Sequence, residues 1–424
     1  MDDETASVGN RGAASDGFYY GWVVVGVCFI GSFVVFGLSY SFGVFFERIL
    51  EEFGHPRGVT SVAFGVQTLM LYIGAVFVGA FVDRHGARPV LVAGGALLCL
   101  GLVWTSQAAS LVGLILAYGV VTGLGLCAVY VVAYATVPKW FEANLGLAGG
   151  IATAGLGAGM LIVTPAVSAL IDSLGWRSAF LTMTAAAGLL VFLMAIFIRD
   201  DPVSADVSIP KEEFAKPPTP SAHGGLKDQF AEIKRVATMP SFVLLFTGWT
   251  LIYATLYVVF VHIVVHGTDL GLSRTVGASV IALIGLMSAL GRVGIGFVSD
   301  TIGHTRVFVF CSLVMGLSTA VLPLADTAAT LYVFALVYGL AYGGNGALLA
   351  PLTAELFGRA NINAIFGLIS ASFAVSGLLA PSLAGAGHDT FGSYNPVFVA
   401  AGIVAILGAV AVYVAGQLRP TPAG

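Results

Sequence analysis

Twelve apolar runs dominate this sequence, at roughly 20–45, 61–82, 89–107, 111–137, 146–171, 177–198, 241–265, 275–298, 306–325, 329–354, 362–386 and 394–416. Each approaches or exceeds the ~20 residues that a helix needs to cross a hydrocarbon core. Backbone groups find no water there, so runs this long and continuous must satisfy them internally, as helices. Of 424 residues, 58% are hydrophobic and 9% charged, against ~25% charged in soluble domains. The expectation is an all-α membrane protein of twelve transmembrane helices. Glycine, 55 of the 424 residues, suits helices that approach closely through small side chains. The net charge of −4 is spread over tails and loops and points to no nucleic-acid partner. Cys28, Cys99, Cys127 and Cys311 fall within apolar runs without metal-type spacing, so they read as small core residues. Residues 1–16 are polar and acid-rich and the first run has full spanning length, so no cleavable signal peptide is expected.

The polar stretch 199–240, with Pro202, Pro210, Pro217, Pro218 and Pro220 among charged residues, separates six runs from six. It reads as a linker holding at most one short surface helix around 225–237. The predicted organisation is a tail (1–18), a six-helix bundle (19–198), the linker (199–240), a second bundle (241–416) and a tail (417–424). With both termini inside, thirteen of the eighteen Lys and Arg fall on inner segments, and only Arg48, Arg57, Arg177 and Arg274 fall in outer loops. The positive-inside rule therefore predicts cytoplasmic termini, in the cell membrane.

The two halves repeat. Gly79 and Gly296 set an offset in the numbering, and seven further pairs keep it without deviation: Asp83 and Asp300, Gly86 and Gly303, Arg57 and Arg274, Asn144 and Asn361, Gly150 and Gly367, Asp172 and Asp389, and Gly175 and Gly392. Two parallel six-helix pseudo-repeats with a site near the midplane between them are a transporter architecture.

Arg292 breaks the repeat, because its mate at the same offset in the first half is Ala75. It is the one charge in the hydrophobic interior and lies about 12 Å from Asp300 at 1.5 Å per residue. An Arg at that depth costs at least ~2.5–3.5 kcal/mol and marks a functional site. Two plainer readings compete: snorkelling to the inner surface, or pairing with Glu355 at the inner end of the tenth run. No acid lies at its own depth, which favours a substrate carboxylate held through two parallel hydrogen bonds.

Gly79-Ala-Phe-Val-Asp83-Arg84-His-Gly86-Ala-Arg88-Pro89 resembles the loop signature of the major facilitator superfamily, with a weaker echo from Gly296 to Arg306. The resemblance implies an inner gate whose charge contacts favour the outward-open state. That role falls on Asp83, Arg84 and Arg88, and on Asp300 and Arg306 in the echo; a simple basic stop-transfer loop is the alternative. Asp16-Gly17 followed by Gly21-Trp22-Val23-Val24-Val25 is similar to the start of monocarboxylate transporters, with one residue more between the glycines. Trp140-Phe141, then Leu147-Ala148-Gly-Gly150-Ile151-Ala152-Thr-Ala154-Gly155, is similar to the start of that family's fifth helix. Phe260-Val261-His262, Asp269-Leu270-Gly271-Leu272-Ser273 and Gly291-Arg292 resemble its bacterial and archaeal members and the oxalate–formate exchangers.

Departures narrow what the resemblance implies. The basic pair at the start of the fifth helix is replaced by Ala143, Asn144 and Leu145, and the first helix lacks the Lys of proton-coupled members. Ser288 stands where those members have an Asp, and the run 362–386 has no charge to match the exchanger's Lys. One cationic group favours a monoanion over a dicarboxylate.

In that superfamily helices 1, 4, 7 and 10 line the central cavity. Tyr130 and Tyr134, and Tyr338 and Tyr342, are spaced i,i+4 and share helix faces. Tyr130, Tyr40 and Tyr342 are candidate donors to a carboxylate, with Asn345 in the glycine-rich stretch Gly343-Gly344-Asn345-Gly346; ordinary packing is the alternative. His262, four residues before His266, can gate or carry a proton, or cap a helix end; no carboxylate or Cys completes a metal site with the pair. The spacings Gly119/Gly123, Gly146/Gly150, Gly155/Gly159 and Gly339/Gly343 predict close helix crossings, and Pro165 and Pro381 predict bends in the fifth and eleventh helices.

The expected function is secondary active transport of a small organic anion, most simply a monocarboxylate, by alternating access with proton coupling or anion exchange. Its partners are that anion, protons or a counter-anion, and the bilayer. An exporter of hydrophobic compounds, or a non-transporting sensor of the same fold, are the competing readings. No nucleotide loop, catalytic triad or metal motif is present, so neither an enzyme nor a cofactor is expected.

Overall fold

The computed structural model describes residues 19–141, 144–202, 235–358 and 362–418. The tails 1–18 and 419–424 lie outside the described residues. So do the linker from 203 to 234, with most of the helix expected there, and Ala143, Arg359 and Asn361. All twelve runs are helices: α1 (Gly21–Phe53), α2 (Arg57–His85), α3 (Ala87–Ser106), α4 (Leu111–Trp140), α5 (Leu145–Leu174), α6 (Trp176–Phe197) and α7 (Pro240–Asp269). They continue with α8 (Arg274–Ile302), α9 (His304–Leu324), α10 (Ala328–Ala347 and Leu349–Phe357), α11 (Ile362–Phe391) and α12 (Asn395–Gln417). Among the described residues there is no strand.

Several helices outrun their apolar runs. The last turns of α1 carry Glu51 and Glu52 outward while Phe45, Phe46 and Ile49 stay buried, so an amphipathic face extends the span. α10 breaks at Leu348 by 43°. Pro351 has no N–H to give the carbonyl of Ala347 and its ring crowds that carbonyl; the Leu348 amide turns instead to the Asn345 carbonyl at 3.1 Å. Residues 115–122 of α4 form a π-helical segment in which the Thr122 hydroxyl donates to the Ala117 carbonyl at 3.0 Å. Pro165 and Pro381 lie inside helices that run through them without interruption.

Packing is paired by the repeat. α1 packs on α5 as α7 does on α11, α2 on α4 as α8 on α10, and α3 on α6 as α9 on α12. The halves meet where α2 packs on α11 and α5 on α8. The most apolar windows of α1, α4 and α7 are 67%, 61% and 61% buried, against 33% for α6 and α12, so the former lie central and the latter face lipid. Exposed Phe77, Leu100, Phe192, Phe310 and Leu324 form the apolar outer belt, a surface only a membrane tolerates.

The structure explains the repeated glycines. Gly86 and Gly303 turn at φ of 84° and 102°, and Gly175 and Gly392 at 80° and 69°, all in the left-handed region that favours glycine. Three of the four GxxxG pairs are close crossings: a Cβ on Gly155 would sit 2.1 Å from the Phe29 carbonyl, and one on Gly343 2.1 Å from that of Ser288, while Gly119 and Gly123 press on α2. The pair Gly146 and Gly150 is the exception, since a Cβ at either meets nothing within 4 Å.

Candidate functional site

Close approach of α8 and α10 builds the centre. A Cβ on Gly291 would lie 2.3 Å from the Leu340 carbonyl, and this contact lays Arg292 against Gly346, where an added Cβ would be 2.8 Å from Nη2. Arg292 is half-buried, and its Nε is a buried donor without a hydrogen-bond partner. The guanidinium is in polar contact with the Tyr342 hydroxyl, which in turn meets that of Tyr40 from the other half. Tyr134 and Tyr253 stand within reach of its charge. Among the described residues no carboxylate lies within ion-pair distance of Arg292. Glu355, the competing partner, instead accepts from the amide and hydroxyl of Thr305, each at 3.2 Å, and so caps α9.

Aromatic rings surround this charge. Tyr130 and Tyr134 pack with ring centres 4.6 Å apart, and Tyr130 meets Tyr72 at 5.8 Å. Tyr72 packs on Phe373 at 5.3 Å and Tyr40 on Phe260 at 4.3 Å, both across the two halves. Sequence reasoning passed over Tyr72, Tyr253 and Tyr257. Tyr257 was within its reach, since it is the repeat mate of Tyr40, and Tyr253 too, since it shares a face with Tyr257 at i,i+4 on the seventh helix; nothing in the sequence marks Tyr72.

Asn345 lies beside the centre rather than open to it. Its Oδ1 accepts from the Tyr253 hydroxyl and its Nδ2 donates to Ser312 Oγ at 2.7 Å, so it fixes Tyr253 within the second half. His262 stands apart from Arg292. Its Nε2 lies 2.9 Å from the Pro381 carbonyl, which can only accept, so Nδ1 accepts from the Tyr394 hydroxyl at 2.8 Å. Both ring nitrogens are thereby committed.

His262 belongs to a seal on the face that carries Arg57. There the Arg57 guanidinium makes two bonds to Asp269, at 2.6 and 2.8 Å, and covers the Tyr394 ring at 5.2 Å. The amides of Arg57 and Gly58 donate to Asp389 at 3.1 and 2.9 Å. Arg274 donates to Glu47 at 2.8 Å and to Asp172 at 2.6 Å. Arg57 with Asp389 and Arg274 with Asp172 are repeat-related residue pairs, joined through the Arg57 backbone amide in one and the Arg274 guanidinium in the other, and each links the two halves. Beneath them Gly43 of α1 meets its own repeat mate, Phe260 of α7, so closely that a Cβ would lie 2.2 Å from the Phe260 carbonyl. The Arg57 side chain is 19% exposed and that of Arg274 8%, while Asp269 and Asp172 are 36% and 49% exposed, so the arginines are shielded and these two carboxylates reach the surface.

The opposite face is open. Asp83, Arg84, Arg88 and Arg306 are exposed and form no ion pair among the described residues; the Asp300 side chain lies outside the description. The signature loop is held in another way, by Asp200, which accepts from the Ala87 amide at 2.5 Å at the start of α3. A Cβ would meet nothing within 4 Å at Gly79, Gly150 or Gly367, and only Ala347 Cβ at 3.8 Å at Gly296.

The sequence model of the Major Facilitator Superfamily matches residues 28–295 and 263–424. Among curated relatives, monocarboxylate transporter 13 of Rattus norvegicus is 28% identical over 92% of this chain and 87% of its own length. Monocarboxylate transporter 11 of Mus musculus is 30% identical over 90% of this chain and 84% of its own. A bacterial homolog to the human lysosomal transporter Spinster, solved inward-facing and unoccupied, matches with a TM-score of 0.74 over 95% of this chain and 99% of its own. Its occupied form matches with a TM-score of 0.73. At 15% identity that likeness speaks for the fold alone.

The seal makes a prediction. In a background with the four native cysteines changed to serine, Thr60→Cys, now fully buried on the Arg57 face, will react slowly with a charged thiol reagent. Adding Arg57→Ala and Arg274→Ala should raise that rate several-fold; an unchanged rate would show that the ion pairs do not hold the face shut.

Proposed function

The chain belongs to the major facilitator superfamily, within its monocarboxylate-transporter branch, and from that premise we propose that it moves a small monocarboxylate across the cell membrane by alternating access in exchange for a second anion. It is a multi-pass membrane transporter and not an enzyme. The observation that carries the reading is the Arg292 guanidinium, with its buried Nε unpartnered and no carboxylate beside it among the described residues. A carboxylate bridging Nε and one Nη satisfies that donor and cancels the charge. Tyr342, Tyr40 and Tyr130 supply hydroxyls and ring faces around the substrate, Asn345 holds Tyr253 in position, and His262 serves the seal at the Arg57 face.

Exchange follows from electrostatics. When the site closes without an anion, a bare guanidinium remains in low dielectric, at a cost of at least ~2.5–3.5 kcal/mol. When it closes on a carboxylate, the pair is neutral. The loaded carrier therefore reorients faster than the empty one.

Both termini are placed on the cytoplasmic side, which makes the Arg57 face the outer one and the described state inward-open. The bundles 19–198 and 241–416 rock about the site, with the linker 199–240 between them. Support comes from the glycines at the helix crossings. On the closed side α2 and α11 cross at Gly58 and Gly385, where an added Cβ on Gly385 would lie 2.5 Å from the Gly58 amide, and nearer mid-span α5 and α8 cross at Gly157 and Gly285. On the open side Gly79 of α2 and Gly367 of α11, with their repeat mates Gly296 and Gly150, wait for the same kind of contact. Asp83, Arg84, Arg88, Asp300 and Arg306 would then pair across the inner mouth.

Two experiments test this. Counterflow in proteoliposomes with lactate, pyruvate, acetate, formate and oxalate should show exchange exceeding net efflux. Arg292→Ala should cut exchange roughly 30-fold or more, the loss expected when one partner of a buried charge pair is removed. Arg292→Lys should fall between. Wild-type rates in Arg292→Ala, or uptake of a cationic dye that no anion competes, would overturn the reading. For the rocking motion, Gly79→Cys with Gly367→Cys in the cysteine-free background should cross-link, more readily when Arg57→Ala is added, and the cross-link should stop transport. Its absence in every condition would count against closure at these glycines.

A further inference from the structure

Three buried side chains of the second half form a hydrogen-bonded row that leads from α9 to the centre. Ser312 of α9 donates its hydroxyl proton to the Phe308 carbonyl at 2.8 Å, so its oxygen has only lone pairs left to offer. Asn345 Nδ2 of α10 donates to that oxygen at 2.7 Å. The amide is thereby turned with Oδ1 towards Tyr253 of α7, whose hydroxyl donates to it. A carbonyl can only accept, so the direction of the whole row is set from its far end. Ser312 and Asn345 are fully buried and Tyr253 is 2% exposed.

The repeat shows that the scaffold does without this row. The repeat mates of Ser312, Asn345 and Tyr253 are Gly95, Ala128 and Phe36, none of which has a side-chain hydrogen-bonding group. The helix crossing itself is kept, since an added Cβ on Gly94 would lie 2.2 Å from Ala128 Cβ, where α3 meets α4 as α9 meets α10. Buried polar groups are costly unless each is paired, and the first half closes the same crossing with none. The row therefore breaks the repeat as Arg292 does, and in the same half. Its inner end belongs to the centre: Tyr253 interacts electrostatically with Arg292 and Tyr342, and Phe373 holds its ring edge-on at 4.6 Å.

The row fixes what Tyr253 can offer. A hydroxyl has one proton, and this one is spent on Asn345, while among the described residues nothing donates to its oxygen. Tyr342 is the reverse case. A guanidinium only donates, so the Tyr342 oxygen accepts from Arg292 and its proton stays available. We propose that Ser312 and Asn345 are positioning residues that make Tyr253 a hydrogen-bond acceptor, so that the site prefers a monocarboxylate with a donor beside its carboxylate, as in a 2-hydroxy acid, over one with an acceptor there, as in a 2-oxo acid. The inference rests on the reading of Arg292 as the carboxylate site. The carboxylate lies on Arg292 and Tyr342, and the neighbouring hydroxyl donates to Tyr253. A 2-oxo group sets lone pairs against lone pairs and leaves both acceptors unmatched.

Calorimetry on the full-length protein in nanodiscs gives its affinities for propanoate, 2-oxopropanoate and the better-bound enantiomer of 2-hydroxypropanoate. The readout is the ratio of 2-hydroxy to 2-oxo affinity within one variant, which a general loss of folded protein does not move. Wild type should favour the 2-hydroxy acid by about fivefold or more, as one hydrogen bond of ordinary strength allows. Ser312→Ala removes the acceptor that orients the Asn345 amide, although Ser312 itself reaches no substrate, and the ratio should fall to about twofold or less. Tyr253→Phe removes the acceptor directly and should lower the ratio to the same level. A wild-type ratio in either variant overturns the proposal. So does a wild type without preference, in which case propanoate binding that is lost in Arg292→Ala leaves the Arg292 reading standing. Failure of wild type to bind any of the three acids overturns both.

Discussion

A guanidinium held within the hydrocarbon depth of the membrane with a buried donor unpartnered is the constraint from which the rest of this molecule follows. Such a group is costly unless it finds a negative partner, and protein acids ordinarily provide one. Here the nearest candidate by sequence, Glu355, is spent on capping α9. Hydroxyls of tyrosines soften the field around Arg292 but cannot cancel it. The carboxylate of the proposed substrate would be that partner. The contacts at the Arg57 face close one side of the centre, and the opposite face is exposed.

The repeat separates support from function. Features that obey the common offset seal and stiffen: the residue pairs Arg57 with Asp389 and Arg274 with Asp172, the left-handed glycines at the span junctions, and the meeting of Gly43 with Phe260 on the pseudo-symmetry axis. The charge at the centre breaks it: Arg292 faces Ala75 in the alignment of halves. A two-fold scaffold can rock as a unit, while an asymmetric centre would give the proposed substrate one orientation.

Much of this was legible in the chain itself. Span number, the two-fold arrangement and the singular character of Arg292 follow from hydropathy and subtraction, because the bilayer leaves few alternatives to a helix. Contacts between the halves were not legible. That Arg57 reaches Asp269, or that His262 is locked between Pro381 and Tyr394, depends on which helices meet and how far the halves have tilted. GxxxG spacing marks a possible crossing, not an occupied one: Gly155 touches α1, whereas Gly146 faces open space in this state. The break in α10 had a visible cause in Pro351, yet its depth in an apolar run hid it.

The most direct measurement asks whether the centre recognises negative charge through Arg292. Thermal unfolding of the purified protein would be followed with a panel of monocarboxylates, each matched with its neutral amide. A ligand at a hundred times its Kd stabilises by about 2.7 kcal/mol, enough for a clear upward shift. The account predicts that at least one carboxylate gives such a shift, that its amide does not, and that Arg292→Ala abolishes it. Equal stabilisation by the amides, or a shift that persists in Arg292→Ala, would contradict it.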